Sequence, residues 1–201
     1  MAQSLIIERI DYEAMPEVIT ARMRLVSGTR VLAEAELGDH ARLSQLLPAT
    51  VPAEWPPEDL REALPMFLSR CRESGNFGPW TLGWYGLLAL DGEAVLCGSV
   101  GFKGEPNLVG VVEIGYAVIQ SYQGRGIATE MVRGLSNWAF GQPGIQEIQA
   151  EVLPQNLASL RVLAMAGFVP MGPHSENGML RFRRSGQNRT PQLILDGPTW
   201  S

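Results

Sequence analysis

Between residues 145 and 153 apolar and polar positions alternate with period two: Ile148, Ala150 and Val152 fall on one face, and Glu147, Gln149, Glu151 and Leu153 on the other. That pattern predicts a half-buried strand. Upstream, "WTLGWYGLLAL" and "EAVLCGSVGF" flank Asp91-Gly92. Both turn residues tolerate positive φ, so the pair predicts a β-hairpin. "GVVEIGYAVI" (110–119) predicts the next strand. The period then changes: Ile127, Met131 and Leu135 recur at spacing four, with Val132 and Ala139 beside them, as an amphipathic helix requires. A helix over 156–166 follows, with Asn156 as N-cap and Gly167 as its stop. "GFVPMG" and "GMLRFRR" predict a closing pair of strands.

The N-terminal third carries weaker patterns. "SLIIERI" and "DYEAMPEVITARMRL" predict a strand and a short helix, and "TRVLAEAE" (29–36) a strand. "GDHARLSQLLP" predicts a helix capped by Asp39 and ended before Pro48. In "DLREALPMFLSRCRES" Pro65 interrupts a helical pattern, which predicts two helices or a kink. The sum is an α+β chain, a mostly antiparallel sheet followed by a strand–helix–strand–helix unit. It divides into an N-terminal extension (1–28), one domain (29–184) and a C-terminal tail (185–201) in which Asp196 and Trp200 have no assignable role.

Composition removes several classes of function. A chain of 201 residues supports one domain with a substantial core. No apolar run approaches the roughly 20 residues that span a bilayer, and "MAQSLIIERIDYEAMPEV" lacks the basic and apolar regions of a secretory signal. The expectation is a cytoplasmic protein that engages no membrane. A net charge of -5 argues against a nucleic-acid surface and admits a cationic substrate. Cys71 and Cys97 form no CxxC pair and read as reduced structural thiols; His40 and His174 lack neighbours at ligand spacing, so no metal is expected.

Chemistry gathers at the junction "YQGRGIAT", where a strand gives way to a helix. A helix start leaves backbone N–H groups unpaired and carries partial positive charge. Gly124 and Gly126 let the backbone curl and a ligand approach, and Arg125 adds a positive charge. Together these suit a phosphate or pyrophosphate. The Gly-Lys-Ser/Thr of a Walker loop is absent, and Thr129 stands where a dinucleotide fingerprint wants its third glycine.

The combination resembles the GNAT superfamily of acetyl-CoA-dependent N-acetyltransferases. Gln123, Gly126 and Ala128 fill its Gln/Arg-x-x-Gly-x-Gly/Ala phosphate motif, and "AEVLPQNLASLRVLAMAGF" matches its strand, Asn-led helix and Gly-Phe. The wording is most similar to the group that acetylates N-terminal alanines of ribosomal proteins, over about residues 29–184. The resemblance implies a GNAT fold: a mixed, mostly antiparallel twisted sheet with splayed central strands, flanked by helices. It implies acetyl-CoA in the splay, its pantetheine paired with Ala117, Val118 and Ile119, and its pyrophosphate on Gln123, Gly124, Arg125, Gly126, Ile127, Ala128 and Thr129. It also implies that Asn156 contacts the cofactor arm and that the Val118 N–H polarises the thioester carbonyl.

Amine acylation needs a neutral nucleophile, so a base helps, directly or through water. By the resemblance Glu151 and Glu113 both occupy positions of proposed bases, each with a structural carboxylate as the plainer reading. The tyrosine that protonates the leaving thiolate in many members is Leu163 here, which leaves Tyr116, Ser159 or solvent for that role. Trp80, Trp84 and Tyr85 read as sheet core, with a lesser role at an acceptor site, and Trp55 as a border of that site. The expected activity is direct acetyl transfer to a primary amine, on a protein N-terminus or a small molecule. The alternative is a non-catalytic acyl-CoA-binding sensor or scaffold. The sequence does not set the oligomeric state; a homodimer through the C-terminal strands or the tail is one assembly it admits.

Overall fold

The computed structural model describes residues 15–38, 40–173 and 178–186. "SLIIERI", the Asp39 cap, His174 and most of the tail lie outside them. The N-terminal third departs from expectation twice. β1 (Glu17–Ile19) and β2 (Met23–Ser27) form an antiparallel hairpin where a short helix was expected. Burial alternates along Met23, Arg24 and Leu25 with the strand period. The Arg24 Nε donates to Glu17 across the pair at 2.8 Å, and the Met23 N–H donates to Thr20 Oγ1 at 3.1 Å to close the turn.

The second correction is α1 (Arg30–Gly38), a helix in place of the strand expected at 29–36. Val31, Ala33 and Ala35 alternate, but Ala, Leu and Glu are strong helix formers. Thr29 caps the helix: its Oγ1 accepts from the Leu32 N–H at 3.2 Å. α2 (His40–Leu46) follows, then α3 (Glu58–Ser74), which runs through Pro65 as one element. Pro65 is exposed, so water can satisfy the Arg61 carbonyl that loses its helical donor.

From residue 84 onward the expected order holds: β3 (Trp84–Leu90), β4 (Glu93–Phe102), β5 (Val111–Val118), α4 (Ile127–Gly141), β6 (Glu147–Val152), α5 (Leu157–Met165), β7 (Val169–Pro173) and β8 (Leu180–Ser185). Asp91 and Gly92 both have positive φ, 50° and 86°, as the hairpin required. Among the described residues eight strands form one sheet in the order β1-β2-β3-β4-β5-β6-β8-β7. All neighbours are antiparallel except β5 and β6. α4 packs on one face, where Ile127, Met131 and Leu135 meet Met23, Leu25, Val112 and Ile148. α1 and α2 cover the other, where Leu32, Leu43 and Trp55 meet Val26, Tyr85 and Leu96. Cys71 and Cys97 are buried and free.

The parallel pair sets the site. β5 and β6 are in register only at Val111, Val112 and Glu113 with Glu147, Ile148 and Gln149. Beyond them β5 stays on β4 up to Val118, while β6 stays on β8 up to Val152. The strands therefore part like a fork. Its closed end is pinned by Gly110, whose carbonyl accepts from the Gln146 and Glu147 N–H groups at 2.8 and 3.3 Å. Gly110 has φ 75°, and a Cβ there would stand 2.0 Å from the Gly144 carbonyl oxygen. Gly110→Ala is therefore expected to cost about 2–3 kcal/mol. Urea denaturation measures this; an unchanged midpoint would show that the fork does not depend on this residue.

Candidate functional site

Strand geometry fixes what the fork exposes. The Lys103 N–H donates to the Glu113 carbonyl and the Ile119 N–H to the Cys97 carbonyl, at 2.9 and 3.1 Å. Odd-numbered residues of β5 thus turn their amides toward β4, and Ile114, Tyr116 and Val118 turn theirs toward the gap. The Val118 carbonyl is held by Gln123 Nε2 at 2.9 Å, while its N–H is aimed at the gap. Ile119 is spent otherwise: its carbonyl accepts from the Tyr122 N–H at 3.0 Å. Of the three residues 117–119, Val118 alone offers its N–H to a guest between the strands.

A cavity of about 620 Å³ opens from that gap. Gln123, Gly124, Gly126, Ile127, Ala128 and Thr129 line it, with Asn156 and Ser159 of α5 opposite. Gly124 and Gly126 lie in the left-handed region, φ 72° and 77°, and Gly126 is the N-cap of α4. This conformation carries the chain from a 3₁₀ turn (Gln120–Tyr122) into the helix with the first N–H groups of α4 facing the cavity. Asn156 Oδ1 accepts from the Ser159 N–H at 3.0 Å, the expected cap of α5. Arg125 is the one member of 123–129 outside the cavity wall. Its guanidinium lies 5.2 Å from the centre of the Tyr122 ring, and its carbonyl accepts from Arg22 Nη1 at 3.2 Å.

Arg22 belongs to a lock that the sequence did not reveal. Its Nε donates to Glu130 Oε2 at 2.7 Å and its backbone N–H to Glu130 Oε1 at 2.8 Å; Thr20 Oγ1 donates to the same oxygen at 2.6 Å. The β1–β2 hairpin thereby grips the first turn of α4 and the loop before it.

A second cavity, about 450 Å³, lies across the sheet face under α1 and α3. Its floor is nearly bare of side chains: Gly83, Ser99, Gly101, Gly115 and Ala117. Ala33, Leu60, Leu64, Phe67, Leu82 and Phe102 make apolar walls. Asp59, Tyr116 and Ala117 line both cavities, so the two adjoin there. The Tyr116 hydroxyl donates to the Ser159 carbonyl at 3.1 Å, and burial raises its pKa. Leu163, where many members of the resembled family carry tyrosine, is buried core.

The two expected bases lie beside these cavities rather than in their walls. Glu113 is ion-paired with Lys103, which lines the apolar cavity. Glu151 stands 3.9 Å from Arg181 Nε on the neighbouring strand. Instead, the apolar cavity holds, besides Asp59, Glu36 of α1, which no motif marked. Its Oε1 accepts from Trp55 Nε1 at 2.9 Å and its Oε2 from the Tyr85 hydroxyl at 2.8 Å. Desolvation raises its pKa to about 7 against these two hydrogen bonds, which lower it. Trp84 is core, as read; Trp80 packs against Phe102 and Trp138, centroids 4.7 and 4.9 Å apart. Among the described residues no group of three or more His, Cys, Asp or Glu is placed to hold a metal, and no helix is long and apolar enough to cross a membrane.

A forked parallel pair with a glycine loop at the next helix is a narrow pattern, and comparison with known proteins agrees with it. The profile of the acetyltransferase (GNAT) domain matches residues 31–169. The chain belongs to the GNAT acetyltransferase family. It is 30% identical over 154 residues to the uncharacterized N-acetyltransferase YjdG of Bacillus subtilis, covering 75% of this chain and 88% of that one. In fold it is similar to Mycobacterium smegmatis RimJ in complex with CoA-disulfide, with TM-score 0.57, 22% identity and 89% of each chain covered. It is also similar to the ribosomal-protein-S5-alanine acetyltransferase of Vibrio fischeri, with TM-score 0.54, 19% identity, and 88% of this chain and all of that one covered.

This GNAT N-acetyltransferase thus carries a titratable acid where its sequence gave no warning. Glu36 also makes a stability prediction. Its folded pKa lies above the ordinary 4.5, so the folded state holds the proton more tightly. Its contribution is greatest below pH 4.5 and is lost as pH rises through about 7. The loss is about 3 kcal/mol at ~1.4 kcal/mol per pH unit. Unfolding free energies across that window should fall with pH in the wild type and flatten in Glu36→Gln. Parallel curves would show that the carboxyl is not desolvated.

Proposed function

We propose that this GNAT protein transfers acetyl from acetyl-CoA to a primary amine by direct attack, without an acyl-enzyme. The observation that carries this reading is the junction of the two cavities at Tyr116 and Ala117. One cavity has a helix N-terminus and strand amides suited to an elongated, anionic cosubstrate; the other is apolar with acidic groups in its wall, as an amine's site would be.

In this reading the N–H groups at the start of α4, curled by Gly124 and Gly126, receive the pyrophosphate. Ile114, Tyr116 and Val118 offer the edge of β5 to the pantetheine amides. The Val118 N–H, preset by the strand, polarises the thioester carbonyl where negative charge develops. Tyr116 supplies the proton for the leaving thiolate; its raised pKa keeps the hydroxyl protonated at neutral pH, and it touches both cavities. That hydroxyl answers for the missing tyrosine at Leu163 and favours an enzyme over a non-catalytic acyl-CoA sensor.

Of the two carboxylates, Glu113 is the better base. It shares the Gly115–Ala117 face of β5, and its partner Lys103 lines the acceptor cavity, so water can relay the amine proton to it. Glu151, like Glu113 outside both walls, faces Arg181 Nε at 3.9 Å on the neighbouring strand.

Two tests follow. Gly126→Val should abolish most acetyl-CoA affinity while the protein stays folded, since its Cβ would meet only the Arg22 guanidinium at 3.6 Å. The strain of a branched residue at φ 77° costs about 1–3 kcal/mol. Calorimetry showing wild-type affinity in the folded variant would refute the phosphate-loop reading.

For the proton chemistry, Glu113→Gln should lower kcat by about 10²–10⁴-fold, with acetyl-CoA affinity unchanged and partial rescue at high pH. Glu151→Gln should be nearly silent, and the reverse outcome would transfer the role to Glu151. The assay is thiol release from acetyl-CoA with pooled amine acceptors.

A further inference from the structure

The apolar cavity has polar groups at its two ends and little between. At one end Asp59, Tyr116 and Ala117 join it to the cosubstrate cavity. At the other, Glu36 is held by Trp55 and Tyr85. The register measures the separation: Tyr85 pairs with Ser99, and Ser99 with Ala117, in one row across three strands. Two inter-strand spacings put the backbones of Tyr85 and Ala117 roughly 10 Å apart. Ser99 lies between them in that row, Gly101 and Gly115 form the next row of the floor, and the walls are aliphatic and aromatic.

Glu36 is held by the hydroxyl of Tyr85, a residue two strands away from Val118. Its carboxylate is not used up by its neighbours. Trp55 and Tyr85 each occupy one lone pair, on different oxygens, and a carboxylate has about four acceptor positions. The other charged groups in the walls are Asp59 and Lys103, and Lys103 is engaged by Glu113. A second donor on the guest would thus meet an acceptor at the Glu36 end, in a place where water is sparse.

Resting on the acetyltransferase reading above, we infer that the acceptor is a small two-headed amine: a primary amine at one end, an apolar spacer, and a second hydrogen-bond donor held by Glu36 at the other. Glu36 is a specificity residue, acting on acceptor binding rather than on the transfer. Its raised pKa agrees with this role, because a bound ammonium or hydroxyl would supply the stabilisation that burial withholds from the carboxylate. The bare glycine floor gives the spacer its room.

The test uses matched twins: cadaverine against pentylamine, and tyramine against phenethylamine, each with acetyl-CoA and the wild-type protein. The donor-bearing twin should have the higher kcat/KM, by at least about ten-fold, since an acceptor left unpaired in a dry site is costly. Glu36→Gln should bring the ratio near one by raising the KM of the two-headed twin, with its kcat and the affinity for acetyl-CoA unmoved. A purely structural Glu36 would lower activity on both twins equally and leave their ratio intact. A wild-type ratio near one, or a ratio that survives Glu36→Gln, overturns the inference. So does turnover of an alanine-led peptide with none of the four amines accepted, although acetyl transfer itself then stands. Failure to bind acetyl-CoA would instead sink the proposed function.

Discussion

The structure turns on two adjacent strands that cannot stay paired. β6 follows β8 along its full length and β5 follows β4, so the parallel contact between them survives only at its first residues. Unpaired strand amides inside a protein are costly unless something receives them. Here one carbonyl is satisfied within the chain, by Gln123, and a side chain crosses the opening, from Tyr116 to the Ser159 carbonyl of α5. What remains is an edge ready to hydrogen-bond an extended guest. Both cavities, the glycine loop and the placement of α5 depend on that parting.

The loop at the mouth of the fork is held in place as well as curled. Glu130 sits in the first turn of α4, where a carboxylate is favoured by the helix dipole, and receives three donors from Thr20 and Arg22. Arg22 also reaches the Arg125 carbonyl. A hairpin at the far edge of the sheet by sequence thus fixes the loop that faces the cosubstrate cavity. Preorganisation of this kind keeps N–H groups aimed before any ligand arrives.

The apolar cavity arises from omission. Gly83, Gly101 and Gly115 leave the sheet without side chains where α1 and α3 cross it, and a Cβ at Gly115 would meet nothing closer than the Lys103 side chain at 4.0 Å. Burying Glu36 beside such a space costs stability at neutral pH. Trp55 and Tyr85 offset part of that cost, and the remainder is what a functional acid typically carries.

Short-range order was readable wherever period and punctuation agreed. The Asp91-Gly92 hairpin, the i+4 stripe of α4, the alternation of β6 and the Asn156 cap each follow from interactions within a few residues, which a sequence displays directly. The same is true of the glycine loop, because positive φ at Gly124 and Gly126 is a local need. α1 was misread because the alternation of Val31, Ala33 and Ala35 masked strong helix formers and the Thr29 cap. The β1–β2 hairpin was misread because its short runs fit both periods and the deciding pairing, β2 with β3, is distant in sequence. Glu36 was illegible for a stronger reason. One glutamate on a helix resembles any other until the fold sets Trp55 and Tyr85, 19 and 49 residues away, against its two oxygens and withdraws the water. Backbone conformation is encoded by near neighbours, whereas the environment of a charge is made by whatever the whole chain brings around it.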